Sequence, residues 1–229
     1  MAASRRRGVE SSATRAQLIE AAAILICEEG YAALTSRTLA DRLNLSRKIV
    51  HYYFKSIEEV LIALVQQRAA KTLALLDEAL GSAEPLRAVW EICSNADQAA
   101  LALELNALAN RRPAVRAEVK KFAEQFRQIQ TRALVRHLEV RGIEPAIKPI
   151  VATVLLTCLS QILALETQID ITLGHKETLE LVDDCLRAFA QDGASGIEFP
   201  AAKRAPVVKA SSADRARPVP RARKARSTR

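Results

Sequence analysis

Aromatic side chains are nearly missing from this sequence: five Phe, three Tyr and one Trp among 229 residues. Glycine and proline are scarce as well, at seven and eight, and four of the prolines fall within residues 200–229. The body of the chain therefore has few helix breakers, while Ala and Leu, both strong helix formers, supply most of its apolar content. An all-α protein is predicted, long enough for one or two domains with a buried core. No Cys-x-x-Cys pair occurs among Cys27, Cys93, Cys158 and Cys185, which suit thiols used as small apolar groups in a reduced, cytoplasmic setting. No apolar run follows Arg5, Arg6 and Arg7, so no signal peptide is expected. The one membrane-like run, 149–165, is uncharged but shorter than the roughly 20 residues of a span, and it holds Thr153, Thr157, Ser160 and Gln161. A buried or interface helix is the better expectation there, and no membrane partner.

Chemical signatures are missing too. The sequence has no G-x-S-x-G, no phosphate-binding loop and no dinucleotide fingerprint. His137 and His175 lack partners at metal-ligand spacing, and Asp97, Glu104, Asn106 and Asn110 do not make up a metal set. No enzyme activity, catalytic residue, metal or cofactor is expected.

What is present is basic charge at the two ends. The formal net charge is +8, yet residues 200–229 alone hold ten Lys/Arg against Asp214. Residues 1–60 carry nine basic and seven acidic groups; residues 61–199 carry fifteen and eighteen. A polyanion suits the ends and not the middle.

Punctuation divides the chain further. Residues 1–12 are expected as a flexible arm, in which Arg5, Arg6 and Arg7 are either solvated charge or a reach into a minor groove. A first helix is predicted over 14–29, with Leu18, Ala22, Leu25 and Ile26 on one face and Gly30 as a left-handed C-cap. Thr35 can cap a short helix to Leu43, Asn44 suits a left-handed turn, and Ser46 can cap a third helix to about Phe54. Ser56-Ile57-Glu58-Glu59 is a capping box opening a long fourth helix, broken at Gly81-Ser82. Later helices are predicted over 84–95, 98–110, 113–140, 145–166 and 175–190. Beyond residue 191 the composition turns to Ala, Pro, Ser, Lys and Arg, which predicts a basic disordered tail, 191–229.

Residues 35–54, TSRTLADRLNLSRKIVHYYF, place two short helices around a tight turn. Leu39, Leu43, Leu45, Val50 and Phe54 form an apolar set, and the small Ala40 sits where the helices would cross. Such a unit presents its second helix to the DNA major groove. With the first helix's Ala-Ala, Glu29-Gly30-Tyr31, Thr35-Ser36-Arg37, Leu39-Ala40, Leu43-Asn44-Leu45-Ser46 and Tyr52-Tyr53-Phe54 followed by Ser56 and Glu58, the segment resembles the TetR/AcrR family of one-component transcriptional regulators. The likeness covers about a fifth of the chain. It implies a three-helix, helix-turn-helix DNA-binding domain at 13–58 and a helical-bundle ligand-binding and dimerisation domain at 59–190.

The resemblance also implies site residues. Ser36, Arg37, Arg47, Lys48, Ile49, His51 and Tyr53 match the positions that touch DNA. Arg47 and Lys48 would meet guanine edges or phosphates and Ile49 a thymine methyl, with the others fixing register on phosphates. Tyr52 and Tyr53 stay open to a packing role. The family's turn Gly is Asn44 here. Its usual Tyr is His51, which makes that phosphate contact pH-sensitive. Its usual Lys is Ile57, which removes one phosphate contact, with Lys55 as a neighbouring substitute.

A ligand pocket is implied within 59–190, and composition makes it apolar. Candidate lining groups are Trp90, Cys93, Leu105, Phe122, Phe126 and Ile129, with Glu104, Asn106 or Asn110 as polar handles; ordinary core roles remain open for each. Low aromatic content points to an aliphatic, acyl or steroid-like effector. The helices near 150–165 and 179–189 are the dimer candidates, with Ala152, Thr153, Thr157 and Ser160 allowing close approach. The function expected is a bacterial, nucleoid-associated regulator, a repressor that binds a palindromic operator in double-stranded DNA as a homodimer and is released by an apolar small molecule. The alternative is an architectural, nucleoid-type protein using the basic tail.

Overall fold

Reciprocal capping opens the second helix. Thr35 Oγ1 accepts from the Thr38 backbone N–H at 3.1 Å, and Thr38 Oγ1 accepts from the Thr35 N–H at 3.0 Å. Around that start the computed structural model runs α1 (Ala2–Glu29), a 3-10 turn (Tyr31–Ala33), α2 (Ser36–Arg42), α3 (Arg47–Tyr53), α4 (Ile57–Leu80), α5 (Pro85–Cys93), α6 (Ala96–Ala109), α7 (Pro113–Arg141), α8 (Pro149–Thr167) and α9 (His175–Ala190). The structure describes residues 2–145 and 147–190; for 2–11, 96–97 and 188–190 it describes the backbone alone. No strand occurs among the described residues. The tail expected at 191–229 and the side chains of Arg5, Arg6 and Arg7 lie outside them.

Several boundaries differ from expectation. Helix α1 begins at Ala2 rather than near 14, so the segment expected as an arm is helical; it contains no proline and only one glycine to interrupt the helix. Helix α6 begins at Ala96, because Asn95 is its N-cap and accepts from the Gln98 N–H at 2.9 Å. Helix α8 begins with Pro149 in its first turn, four residues later than expected. At α4 the capping box is shifted: Ser56 accepts from the Glu59 N–H, but Glu59 Oε2 reaches back to the Lys55 N–H at 2.8 Å.

Gly30 has positive φ as expected, but at φ 79° and ψ 167° it is extended rather than left-handed helical. That region is open to glycine alone. Its N–H still closes α1 onto the Ile26 carbonyl at 3.0 Å. A Cβ there would meet no neighbouring atom, so Gly30→Ala isolates backbone strain. It should destabilise by about 1–3 kcal/mol, or several degrees of melting temperature. Gly81, at φ −86°, is the control, and alanine there should change stability little. Equal melting temperatures for the two variants by circular dichroism would contradict this account.

The core begins where α1, α2, α3 and α4 meet. Leu18, Ala22, Leu25 and Ile26 of α1 pack with Leu39, Ala40, Val50, Phe54, Val60, Leu61 and Leu64, all buried; Leu43 and Leu45 pack against them. The same cluster continues through Leu101, Leu105 and Leu108 of α6 to Val115 of α7. No gap in packing marks the boundary expected at residue 58.

Helix α7 buries Phe126, Gln130, Leu134 and Leu138, a row at i, i+4 spacing. Opposite it, α8 turns in Thr153 and Ser160, both buried, and its half-buried Thr157. Thr153 pairs with Thr131 at 3.0 Å, and the Thr157 hydroxyl donates to Gln130 Oε1 at 3.3 Å. Thr153 and Thr157 therefore serve the α7–α8 contact inside the protomer, and Ser160 is buried beside Cys93 of α5. Helix α9 is tied on by Arg87 to Asp183 at 2.8 Å, by His175 to Glu166 at 2.8 Å, and by buried Val182 and Leu186. The Arg87 hydrogen bond holds the Asp183 carboxyl below its ordinary range.

Candidate nucleic-acid interface and effector cavity

Helices α2 and α3 are locked by their turn. Asn44 takes φ 53°, as its side chain allows, and the Leu45 N–H donates to the Ala40 carbonyl at 2.9 Å. Fully buried Ala40 lets the helices cross closely. Ser46 sits at the N-cap of α3, but contrary to expectation its side chain makes no capping hydrogen bond. Rotation of α3 is fixed by Val50 and Phe54, which are buried.

That rotation decides what α3 presents. Arg47, Lys48 and His51 are exposed, and their side chains make no hydrogen bond or ion pair with another described residue. Ile49 is half-buried. Tyr53 is half-buried against the core, whereas Tyr52 is 77% exposed and meets Tyr53 ring edge to face at 5.0 Å between centroids. Residues two apart on a helix lie about 200° apart, so Tyr52, which is not among the residues expected on DNA, stands opposite inward-facing Val50. It is exposed together with Lys48 and His51 on α3 and with Lys55 just past the end of the helix.

At α2, Ser36 occupies the first turn, half-buried, and Arg37 is exposed, 3.6 Å from Asp41. Both partners of that pair are well exposed, so it holds Arg37 only weakly. Arg42 is different: it is tied to Glu28 at 2.6 Å and Glu29 at 3.7 Å, bracing α2 against the end of α1. Arg15 lies over the Phe54 ring, 5.1 Å from its centroid. Ile57, half-buried, packs against the core.

A cavity of about 430 Å³ lies among α4, α5, α6, α7 and α8. Of the expected lining residues it gathers Cys93, Leu105, Phe122, Phe126 and Asn106. The two phenyl rings are 5.6 Å apart and tilted. Burial pushes the Cys93 thiol up to about 11, leaving it a poor nucleophile. Trp90 is elsewhere: it lines a second cavity of about 80 Å³ with Val182, Cys185 and Leu186 of α9. Glu104, Asn110 and Ile129 line neither. Helical periodicity put these residues near the middle of the bundle but did not fix the rotation of α5 and α6. Val65 and Leu105 belong both to the larger cavity's wall and to the core shared with α1, α2 and α3.

Residues 18–64 match the family described as bacterial regulatory proteins, tetR family. No curated protein matches in sequence. Among solved structures the chain is similar to a transcriptional regulator from Saccharomonospora viridis in complex with choline, at 18% identity and TM-score 0.63 over 69% of this chain and 87% of that one. It is also similar to a TetR/AcrR-family regulator from Thermobifida fusca, at 24% and 0.56 over 78% and 97%. A third likeness is to a ketosteroid transcriptional regulator of Mycobacterium tuberculosis, at 19% and 0.54 over 66% and 81%. Segment 18–64 thus carries the likeness to the tetR family of bacterial regulatory proteins, and the chain around it has the fold of these solved transcriptional regulators.

Proposed function

We propose that the protein is a homodimeric repressor that holds a palindromic operator through residues 13–58 and releases it when an apolar small molecule fills the cavity within 59–190. The exposed face of α3 carries this reading: Arg47, Lys48, His51 and Tyr52 stand on it with no carboxylate on the helix. Arg47 and Lys48 read guanine edges or grip phosphates, and Ile49 meets a thymine methyl. Ser36, Arg37, His51 and Tyr53 fix register on phosphates.

Helix α8 supports the dimer. It is long and apolar enough to cross a membrane by length and composition, yet only 17% of its most apolar stretch is buried. Val151, Leu155 and Ile162 stay 43%, 57% and 48% exposed, on one stripe with Cys158. Spacings of four, three and four residues along that stripe are those of a helix–helix seam. A two-fold axis there, with α9 alongside, would set the two α3 helices roughly 34 Å apart, one turn of DNA. The effector acts through Val65 and Leu105: displacing either disturbs the packing on which α1 and α4 hold the DNA-binding unit, and a changed spacing no longer fits the operator. The similar regulators named for a ketosteroid and bound to choline favour an effector site in this fold.

Genomic fragments captured by the full-length protein, followed by mobility-shift titration, test the reading. A palindrome bound at least ~1,000-fold tighter than random DNA at physiological salt is expected; equal affinity for random DNA would sink it. Deleting residues 200–229 separates the architectural alternative. Specific binding should survive, while non-specific affinity falls and its salt dependence becomes shallower, because ten Lys/Arg are removed. Loss of sequence preference with the tail would make the tail the reader.

A further inference from the structure

The larger cavity is not purely apolar, and its charge has one sign. Arg68 of α4 and Arg127 of α7 both line it, and among the described residues no Asp or Glu does. Both arginines are half-buried, and neither guanidinium makes a hydrogen bond or ion pair with another described residue. The other half-buried arginines are partnered: Arg87 by Glu84 and Asp183, and Arg112 by the Tyr31 hydroxyl and ring. A partly desolvated cation without a partner is costly, and a second of like sign on the same cavity adds repulsion. The remaining polar lining is neutral: amides such as Gln98, Asn106 and Gln161, and the hydroxyls of Thr72 and Thr157. Phe122, Phe126, Leu105 and Val65 form an apolar wall beside them.

We propose that the effector is an amphiphilic anion, an apolar body bearing one carboxylate-type headgroup that Arg68 and Arg127 neutralise. The proposal rests on the effector-cavity reading above and narrows it. Guanidinium groups match an oxyanion with two parallel N–H donors, so the headgroup would fill the donors that the protein leaves open. A cavity of about 430 Å³ suits a drug-sized body against the phenyl rings. A quaternary ammonium such as choline would find two like charges and, among the described residues, no carboxylate. Binding the anion draws α4 and α7 onto one ligand, and α4 begins at Ile57, shortly after α3 ends at Tyr53.

The test uses a matched fluorescent pair on the full-length protein: 1-anilinonaphthalene-8-sulfonate and N-phenyl-1-naphthylamine, which share one apolar body and differ by the sulfonate. The sulfonate should bind about 10- to 100-fold tighter. Laurate should displace it, and dodecyltrimethylammonium should not. Arg68→Gln with Arg127→Gln should remove the preference, and Arg127→Lys should keep most of it, with folding checked by circular dichroism. Equal binding of the pair, or a preference unchanged in the double variant, overturns the proposal while leaving the cavity as an effector site. Binding that ignores Ala102→Trp, which fills the cavity, or no binding of either probe, overturns the cavity reading and the proposal with it.

Discussion

Replacing Arg47 and Lys48 together by alanine should lower operator affinity by about two to three orders of magnitude, since each good base contact is worth ~1–3 kcal/mol. The melting temperature should barely change. Both side chains are exposed and neither bonds another described residue, so no packing and no ion pair is lost. Single variants distinguish the roles. A residue on a phosphate weakens all sequences alike and reduces the salt slope by about one, whereas a residue on a base edge relaxes preference at one position. Tyrosine variants sharpen the comparison. Tyr53→Ala removes a ring packed on the core and should lower stability, while Tyr52→Ala removes an exposed ring and should lower only DNA affinity. Unchanged operator binding by the Arg47/Lys48 double variant would remove α3 as the reader.

The helix-turn-helix was legible because its signals are local. Thr35 at a cap, Asn44 where φ must be positive, Ala40 at the crossing and Val50 with Phe54 pointing inward each depend on a few neighbours in sequence, and the structure places all of them so. Local reasoning failed where two geometries satisfy the same residues. Gly30 relieves φ in either of two ψ regions, and only the path into the 3-10 turn Tyr31–Ala33 selects the extended one. A serine at an N-cap position need not cap, as Ser46 shows.

The cavity was half legible for a different reason. Which residues face inward on an isolated helix follows from periodicity, but which neighbour they face depends on how helices rotate and cross. Cys93 and Leu105 came out in the expected cavity, whereas Trp90 fell toward α9 and Glu104 lies outside both cavities. Arg68 and Arg127 are not among the residues the sequence places at the cavity. Their half-burial without a carboxylate partner depends on several helices at once, and no single-helix pattern encodes it. Thr153, Thr157 and Ser160 show the same ambiguity: small polar residues permit close approach, and the structure spends that permission on α7 and, at Ser160, on Cys93 of α5.

That reassignment gives the dimer its sharpest test. With the small residues facing α7 and α5, what α8 offers outward is the stripe Val151, Leu155, Cys158 and Ile162. Leu155→Asp would set a carboxylate on that stripe in each protomer, and closing a two-fold seam over them would bury two like charges without partners. The variant should sediment as a monomer at micromolar concentration while keeping its helicity, because Leu155 is 57% exposed within the protomer and supports little of the core. Operator affinity should then fall by about 100-fold or more, since the second half-site is no longer held at the effective concentration that dimerisation provides. Cys158 supplies an internal reporter. Cys158 is exposed in the protomer and also lines the larger cavity, so in a dimer joined along this stripe it should react slowly with a thiol reagent too bulky for that cavity, and Leu155→Asp should raise that rate. A variant that remains dimeric, with Cys158 as slow as before, would move the two-fold axis off α8, and the spacing of the two α3 helices would have to be set by another surface.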